Sequence, residues 1–302
     1  MNAVVVGVEP RRPSVQALFW AADEASRRGV TIRLVAAVHG DRHLVSGDFT
    51  GHSALRVRAA SALANAEDVV RELHPDLSPV IELIDGPPVA VLRERAADAA
   101  LLVLGTRRPH VSGGEASGGG SVAPSLAARA ECPVVLVRAP EHMQIHPRTL
   151  AVAVDDTPAG RAAVAFGVRE ALLRRARLRV VRVVRASASA RRDDGLDAAR
   201  RALAETARTW AWSHPDLDIV ADVLNGRPVE QLLLVSQSAL TLVVGQALGA
   251  PSAAAPLDPV VHGLLRHAEC PVVTVPPPSH GSAGEEHRLR SSFAVRGRSA
   301  PA

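Results

Sequence analysis

Short apolar runs alternate along this chain with stretches of helical period, and turn residues punctuate them. Ala3 to Val8 is a continuous apolar run, as expected of a strand covered on both faces. Pro13-Ser14 then opens a helix with Ser14 as its N-cap; Val15, Leu18, Phe19, Ala22 and Ala25 follow at helical spacing, and Gly29 closes it. Residues 32–38 predict a second strand. A polar, glycine-containing stretch over 40–51 leads into a long helix to about Leu73, with Leu55, Ala59, Ala62, Ala66, Val69 or Val70, and Leu73 on its apolar stripe. Strands over 80–84, 101–104 and 134–138 and helices over 89–97 and 121–130 complete this half. The remainder predicts the same order again, with strands over 150–154, 178–184, 219–224, 240–244 and 272–275. Helices are expected between them over 159–174, 195–213, 229–238 and 260–267.

The repetition extends to the letters. Glu131-Cys132-Pro133-Val134-Val135 returns as Glu269-Cys270-Pro271-Val272-Val273, and His74-Pro75-Asp76-Leu77 as His214-Pro215-Asp216-Leu217. Gly86-Pro87-Pro88-Val89 answers to Gly226-Arg227-Pro228-Val229, Val8-Glu9 to Val154-Asp155, and Glu24-Ala25 to Glu170-Ala171. Landmarks that keep their order while the offset drifts indicate a duplicated domain with loop insertions rather than a short-repeat solenoid. Strands joined by crossovers of this length make parallel sheets with helices on both faces. The fold class is therefore α/β: two tandem, open, Rossmann-like parallel-sheet domains of five strands each. The expected bounds are 1–138 and 148–276, with a linker at 139–147 and a disordered tail at 277–302, where Pro, Ser, Gly, His and Arg show no periodicity.

Composition narrows the partners. With 47% apolar and 22% charged residues the chain is globular. Its basic side chains are all arginine, and a formal net charge of +4 over 302 residues is modest. Aromatic residues make up only 2%, which argues against a nucleic-acid surface, where arginine and aromatics interleave. No apolar run is long enough to span a membrane, and the first residues enter a strand without a basic leader, so the cytoplasm is the expected location. Cys132 and Cys270 hold equivalent places before a proline and an apolar run, as small buried hydrophobes would. The 12 histidines lack metal-ligand spacing.

Candidate chemistry lies at the carboxyl ends of strands. The loop after the fourth strand carries Gly105, Gly113, Gly114, Gly118, Gly119 and Gly120 before Ser121 opens a helix. Glycines admit close backbone approach, and a helix N-terminus offers unpaired N–H groups to an anion. Arg107, Arg108 and His110 add positive charge nearby. A plain glycine linker is the alternative reading of this loop.

The order of elements, the acid after strand one, and the glycine loop running to Glu131-Cys132-Pro133-Val134-Val135-Leu136-Val137 resemble universal stress protein domains in tandem. The resemblance covers about nine-tenths of the chain. The nucleotide-binding branch of that family carries Gly-x-x-Gly, nine residues, then Gly and Ser or Thr. Here Gly105 fills the first place, Arg108 replaces the second glycine, and Gly120-Ser121 close the motif after eleven residues. The resemblance implies that Glu9 holds ribose, that Val8, Ala37 and Leu104 line an adenine pocket beside Gly105, and that amides near Gly120, Ser121 and Val122 meet phosphate. The implied ligand is ATP, accompanied by Mg2+, or another adenine nucleotide. The family also implies pairing between last strands, here Val134 to Arg138 with Val272 to Val275 inside one chain, with a homodimer as a further possibility.

The second half keeps Asp155 but has Leu248 at the second glycine and Asp258-Pro259 in place of Gly-Ser. A carboxylate repels phosphate and proline lacks an N–H, so this half is not expected to bind triphosphate in the family manner. Without lysine there is no Gly-x-x-x-x-Gly-Lys loop, and no Gly-x-Gly-x-x-Gly follows the first strand. No nucleophile–base pair stands out, which favours a sensor or regulator over an enzyme. Two rivals stay open: an interaction module that binds no nucleotide, and an adenine-nucleotide hydrolase.

Overall fold

A computed structural model describes residues 3–39, 49–106, 122–138, 140–142, 147–185, 192–246 and 257–278. The first half runs β1 (Val4–Gly7), α1 (Val15–Arg28), β2 (Ile32–Val38), α2 (Phe49–Leu73), β3 (Val80–Asp85), α3 (Pro88–Ala96), β4 (Leu101–Gly105), α4 (Val122–Arg129) and β5 (Val134–Val137). The second runs β6 (Thr149–Ala153), α5 (Pro158–Arg174), β7 (Arg177–Val184), α6 (Arg192–Ser213), β8 (Ile219–Asn225), α7 (Pro228–Ser236), β9 (Leu242–Gly245), α8 (Pro259–His267) and β10 (Val272–Val275). The tail expected from 277 onward lies outside the described residues save for its first two positions.

The repeated letters mark repeated turns. Both histidines of the His-Pro-Asp-Leu motif end a long helix: His74 N–H donates to Val70 O at 2.9 Å, and Leu77 N–H turns back to His74 O at 2.9 Å. His214 and Leu217 make the same two bonds at 3.0 Å each. Gly86 and Gly226 carry φ of 153° and 147°, a conformation open to glycine alone, and each is followed by a proline at the first turn of α3 or α7. The Glu-Cys-Pro motif leads into β5 and β10, where the Pro133 and Pro271 carbonyls accept from Leu102 N–H at 3.0 Å and Leu242 N–H at 2.9 Å. Ser14 caps α1 by accepting from Ala17 N–H at 3.3 Å, and Gly29 closes it at φ 62°. One boundary departs from expectation. The polar stretch over 40–51 stops short, because α2 already begins at Phe49 and takes in Gly51. The first N–H groups of a helix have no intrahelical partner in any case, so a first-turn glycine forfeits little.

Within each half the strands are parallel, ordered β3-β2-β1-β4-β5 and β8-β7-β6-β9-β10. The halves then join: β5 pairs with β10 in antiparallel register, Leu136 opposite Val272 and Val134 opposite Thr274. One ten-stranded sheet results. Strand residues alternate between two cores. Val4, Val6, Leu101 and Val103 pack under α1 and α2, in a core continuous with the one beneath α5 and α6. Val5, Leu102 and Leu104 pack on the opposite face under α3 and α4, continuous with α7 and α8. Cys132 and Cys270 are free, buried thiols in this second core, and burial pushes both pKa values up to about 12. Nucleophilic redox chemistry needs the thiolate, so both act as packing groups.

Val273 lies at the centre of the join, 1% exposed and opposite Val135. Val273→Asp places an unpaired carboxylate there and is expected to cost at least about 3 kcal/mol of stability, read from the shift in urea midpoint at constant slope.

Candidate functional site

In each half the strand order reverses between the first strand and the fourth. β1 sits between β2 and β4, and β6 between β7 and β9. A crevice opens at the carboxyl ends of the strands on such a switch point. Six of the eight sequence-predicted residues are described and gather there. Val8 follows β1, is buried, and anchors its N–H on Val35 O at 2.8 Å. Glu9 comes next and is exposed at the rim. Ala37 lies half-buried on β2, one alternation from Val35, which is the register partner of Gly7. Leu104 is the register partner of Gly7 on the other side, and Gly105 ends β4. Val122 is the first residue of α4 and packs half-buried against the second core. Gly120 and Ser121 lie outside the described residues, as do Arg107, Arg108 and His110.

Gly105 has a task that its motif position did not suggest. A Cβ built on it would come within 2.2 Å of Ser14 Cβ, so the start of α1 presses on the end of β4. Gly245 repeats this, 2.7 Å from the backbone of Ala159 and Gly160. Close helix–strand packing therefore suffices to require glycine at both positions.

In the second half the described residues enclose part of such a crevice, the loop over 247–256 lying outside them. A cavity of about 200 Å³ is lined by Val154, Asp155, Val183, Val244, Gly245 and Val260, among others. These correspond in order to Val8, Glu9, Ala37, Leu104, Gly105 and Val122. At the start of α8, Asp258 caps the helix, its Oδ1 accepting from Val260 N–H at 2.8 Å and Val261 N–H at 3.3 Å, with Pro259 in the first turn. Asp155 sits against the first turn of α5. Its Oδ1 accepts from Thr157 N–H at 3.0 Å and from the Thr157 hydroxyl, which itself caps the helix by accepting from Gly160 N–H at 3.0 Å. Asp156 points away to Arg182, whose guanidinium holds its carboxyl below the usual carboxylate range.

A second constellation, missed in the sequence, lies where α1 and α5 meet beside the β5–β10 join. Glu24 and Arg28 form an i,i+4 pair on α1, and Glu170 and Arg174 form the equivalent pair on α5. The pairs exchange partners: Arg174 Nη2 reaches Glu24 Oε2 at 2.6 Å, and Arg28 reaches Glu170. Glu141 adds a third carboxylate to Arg174, and accepts from Trp20 Nε1–H at 2.8 Å and from the Thr241 hydroxyl at 3.2 Å. The Arg174 guanidinium lies 5.0 Å from the Trp20 ring centroid, within cation–π range. The signal was present, since Arg28 and Arg174 share the offset of the Glu24 and Glu170 landmarks. Arg27 adds a longer contact to Glu24 at 3.5 Å, so three carboxylates meet three guanidiniums at this centre. Burial, followed by repulsion from Glu24, pushes Glu170 up to about 7. Burial also acts to raise Glu24, but the charges of Arg174 and Arg28 outweigh it and hold Glu24 below its usual value.

An open α/β sheet whose two halves repeat one strand order, each reversing at a switch point, defines a tandem pair of Rossmann-like domains. The profile of the universal stress protein family matches residues 1–138 and again 147–276, and the chain belongs to that family. It is 30% identical over 290 residues to universal stress protein Rv2028c of Mycobacterium tuberculosis, covering 90% of this chain and 95% of the relative. A solved universal stress protein from Archaeoglobus fulgidus shares the fold with a TM-score of 0.69 at 12% identity, covering 92% of this chain and 97% of that one. A second structure from that organism, a universal stress protein in complex with dAMP, overlies 46% of this chain at a TM-score of 0.35. No helix among the described residues is long and apolar enough to cross a membrane.

The ionic cluster gives stability a pH dependence. A carboxyl raised in the folded state, as Glu170 is, stabilises fully below its unfolded value of 4.5 and loses that contribution as pH rises through about 7. The rise from 4.5 to about 7 is worth on the order of 3 kcal/mol. Glu24 has the opposite sign: its contribution is present above 4.5 and is lost as pH falls through its lowered value. Glu170→Gln should flatten the stability profile between about pH 5 and 7, followed by urea unfolding across that window; an unchanged slope would refute the assignment. Arg174→Met leaves Glu24 and Glu141 facing each other without their shared cation, and should cost about 3–5 kcal/mol by the same measurement.

Proposed function

We propose that this universal stress protein binds ATP or another adenine nucleotide through its first half and acts as a sensor or regulator in the stress response. The observation that carries this reading is the set of residues gathered at the first switch point. Buried Val8 and Leu104 flank Gly7, half-buried Ala37 stands beside them, and Glu9 lies exposed at the rim. An adenine ring suits the apolar wall, and a ribose hydroxyl suits a carboxylate acceptor. In this reading Gly105, Gly120, Ser121 and Val122 would make the phosphate end, amides at the start of α4 donating to phosphate oxygens. Mg2+ would arrive with the triphosphate, held by phosphate oxygens and water. No group of three His, Cys, Asp or Glu side chains placed to hold a metal occurs among the described residues.

The second half, with Asp258 seated on the amides of α8, does not take triphosphate in this reading. Its principal role is to pair with the first half inside the chain through β5 and β10, over domains bounded at 1–138 and 148–276. Hydrolysis would need an oriented water and a metal-holding carboxylate, so turnover is slow at most and the protein serves as a binder.

Gly120→Val is the decisive variant, because a side chain at the phosphate end excludes the ligand. Calorimetry with the full chain should register one ATP per chain for the unaltered protein and none for the variant. Mass spectrometry of ligand released from protein purified without added nucleotide should identify an adenylate. Absence of both heat and released ligand would leave the competing interaction module as the reading of the fold.

A further inference from the structure

We infer that the crevice of the second half is a separate site for an uncharged nucleoside, a purine ring with hydroxyl or amino donors and no phosphate. The choice of a purine rests on the reading of the first half, whose proposed adenine wall is matched residue for residue here; the rejection of phosphate rests on this half alone. The cavity of about 200 Å³ has apolar walls that include Val154, Val181, Val183, Leu232, Val244 and Val261, a lining suited to a flat heteroaromatic body. Among the described residues, the charged side chains on its wall are Asp155 and Asp258, with neither arginine nor histidine.

A phosphate needs donors at the helix start, and here they are already engaged. Asp258 Oδ1 accepts from Val260 and Val261 N–H, and Pro259 contributes none. An entering phosphate would meet a fixed carboxylate where an anion site requires N–H groups, so occupancy and charge both oppose it. Asp155 remains available to a neutral ligand, because both bonds from Thr157 fall on Oδ1 and leave Oδ2 for a hydroxyl or amino donor. The residue change that disables the anion end thus turns the same pocket toward the unphosphorylated relative of the first half's ligand, and one chain would read two chemical states of one compound.

The test uses the full chain carrying Gly120→Val and Ala37→Trp, which close the first half to phosphate and to a base, with adenosine and AMP as probes in calorimetry. Adenosine should bind at one per chain, and AMP at least about tenfold more weakly, a gap of 1.4 kcal/mol. Exchanging Asp258→Gly and Pro259→Ser together should close that gap to about threefold, since it restores the donors. Val183→Trp fills the cavity and should abolish adenosine binding. Asp155→Asn preserves the volume and should weaken adenosine about tenfold, which keeps the test sound should the tryptophan variant fail to fold. Equal affinity for the two probes, no adenosine binding, or binding indifferent to Asp155→Asn and to the Asp258 exchange would each overturn the proposal. The first-half reading stands or falls separately, on whether Gly120→Val removes ATP binding from the otherwise unaltered chain.

Discussion

The pairing of β5 with β10 is the constraint on which the rest of the molecule depends. Each is a short strand whose residues are all buried and, save Thr274, apolar. Left as a sheet edge, either one would present an unsatisfied backbone ladder beside a hydrophobic face, a template for aggregation. Joined in antiparallel register, they satisfy each other and move the edges outward to β3 and β8. β3 tolerates that place because its burial is only partial and Glu82 on it is paired with Arg33 and Arg95.

The join dictates the other relations between the halves. Because α1, α2, α5 and α6 share one core while β5 and β10 run antiparallel, the approximate two-fold axis stands normal to the sheet. The strand carboxyl ends of the halves therefore point in opposite directions, and the two crevices open at opposite ends of the sheet. The same two-fold brings α1 against α5 and makes the exchange between Glu24–Arg28 and Glu170–Arg174 self-complementary, as in an isologous dimer. Covalent linkage frees such a pair from strict symmetry. Glu141 engages Arg174 and Trp20 in the linker region between the halves, and Asp258 closes one anion end while the other half keeps Gly120-Ser121. A homodimer of one domain could not carry different residues at these two positions.

Most of the architecture was legible in the letters. Continuous apolar runs marked strands covered on both faces, Ser14 and Gly29 marked the ends of α1, and the repeated Gly-x-Pro and His-Pro-Asp-Leu motifs marked turns that glycine and proline impose through their own backbone limits. The crevice was legible in part. Val8, Leu104 and Gly105 were placed by strand periodicity and family likeness, and parallel register then set them side by side. The packing duty of Gly105 against Ser14 was not legible, because the two are 91 positions apart and only the docking of α1 brings them together.

What the sequence determined by itself is local and periodic: the element order, the caps, the duplication, the family, and the loss of donors at Asp258-Pro259. These follow from backbone preferences and from spacing within single segments. Tertiary structure alone decided that Glu24 meets Arg174 across the join, that the start of α1 presses on Gly105, and that burial, followed by the charge of Glu24, raises the Glu170 carboxyl. The physical reason is that charge energies depend on burial and on distance in space, and neither quantity is written in the order of residues.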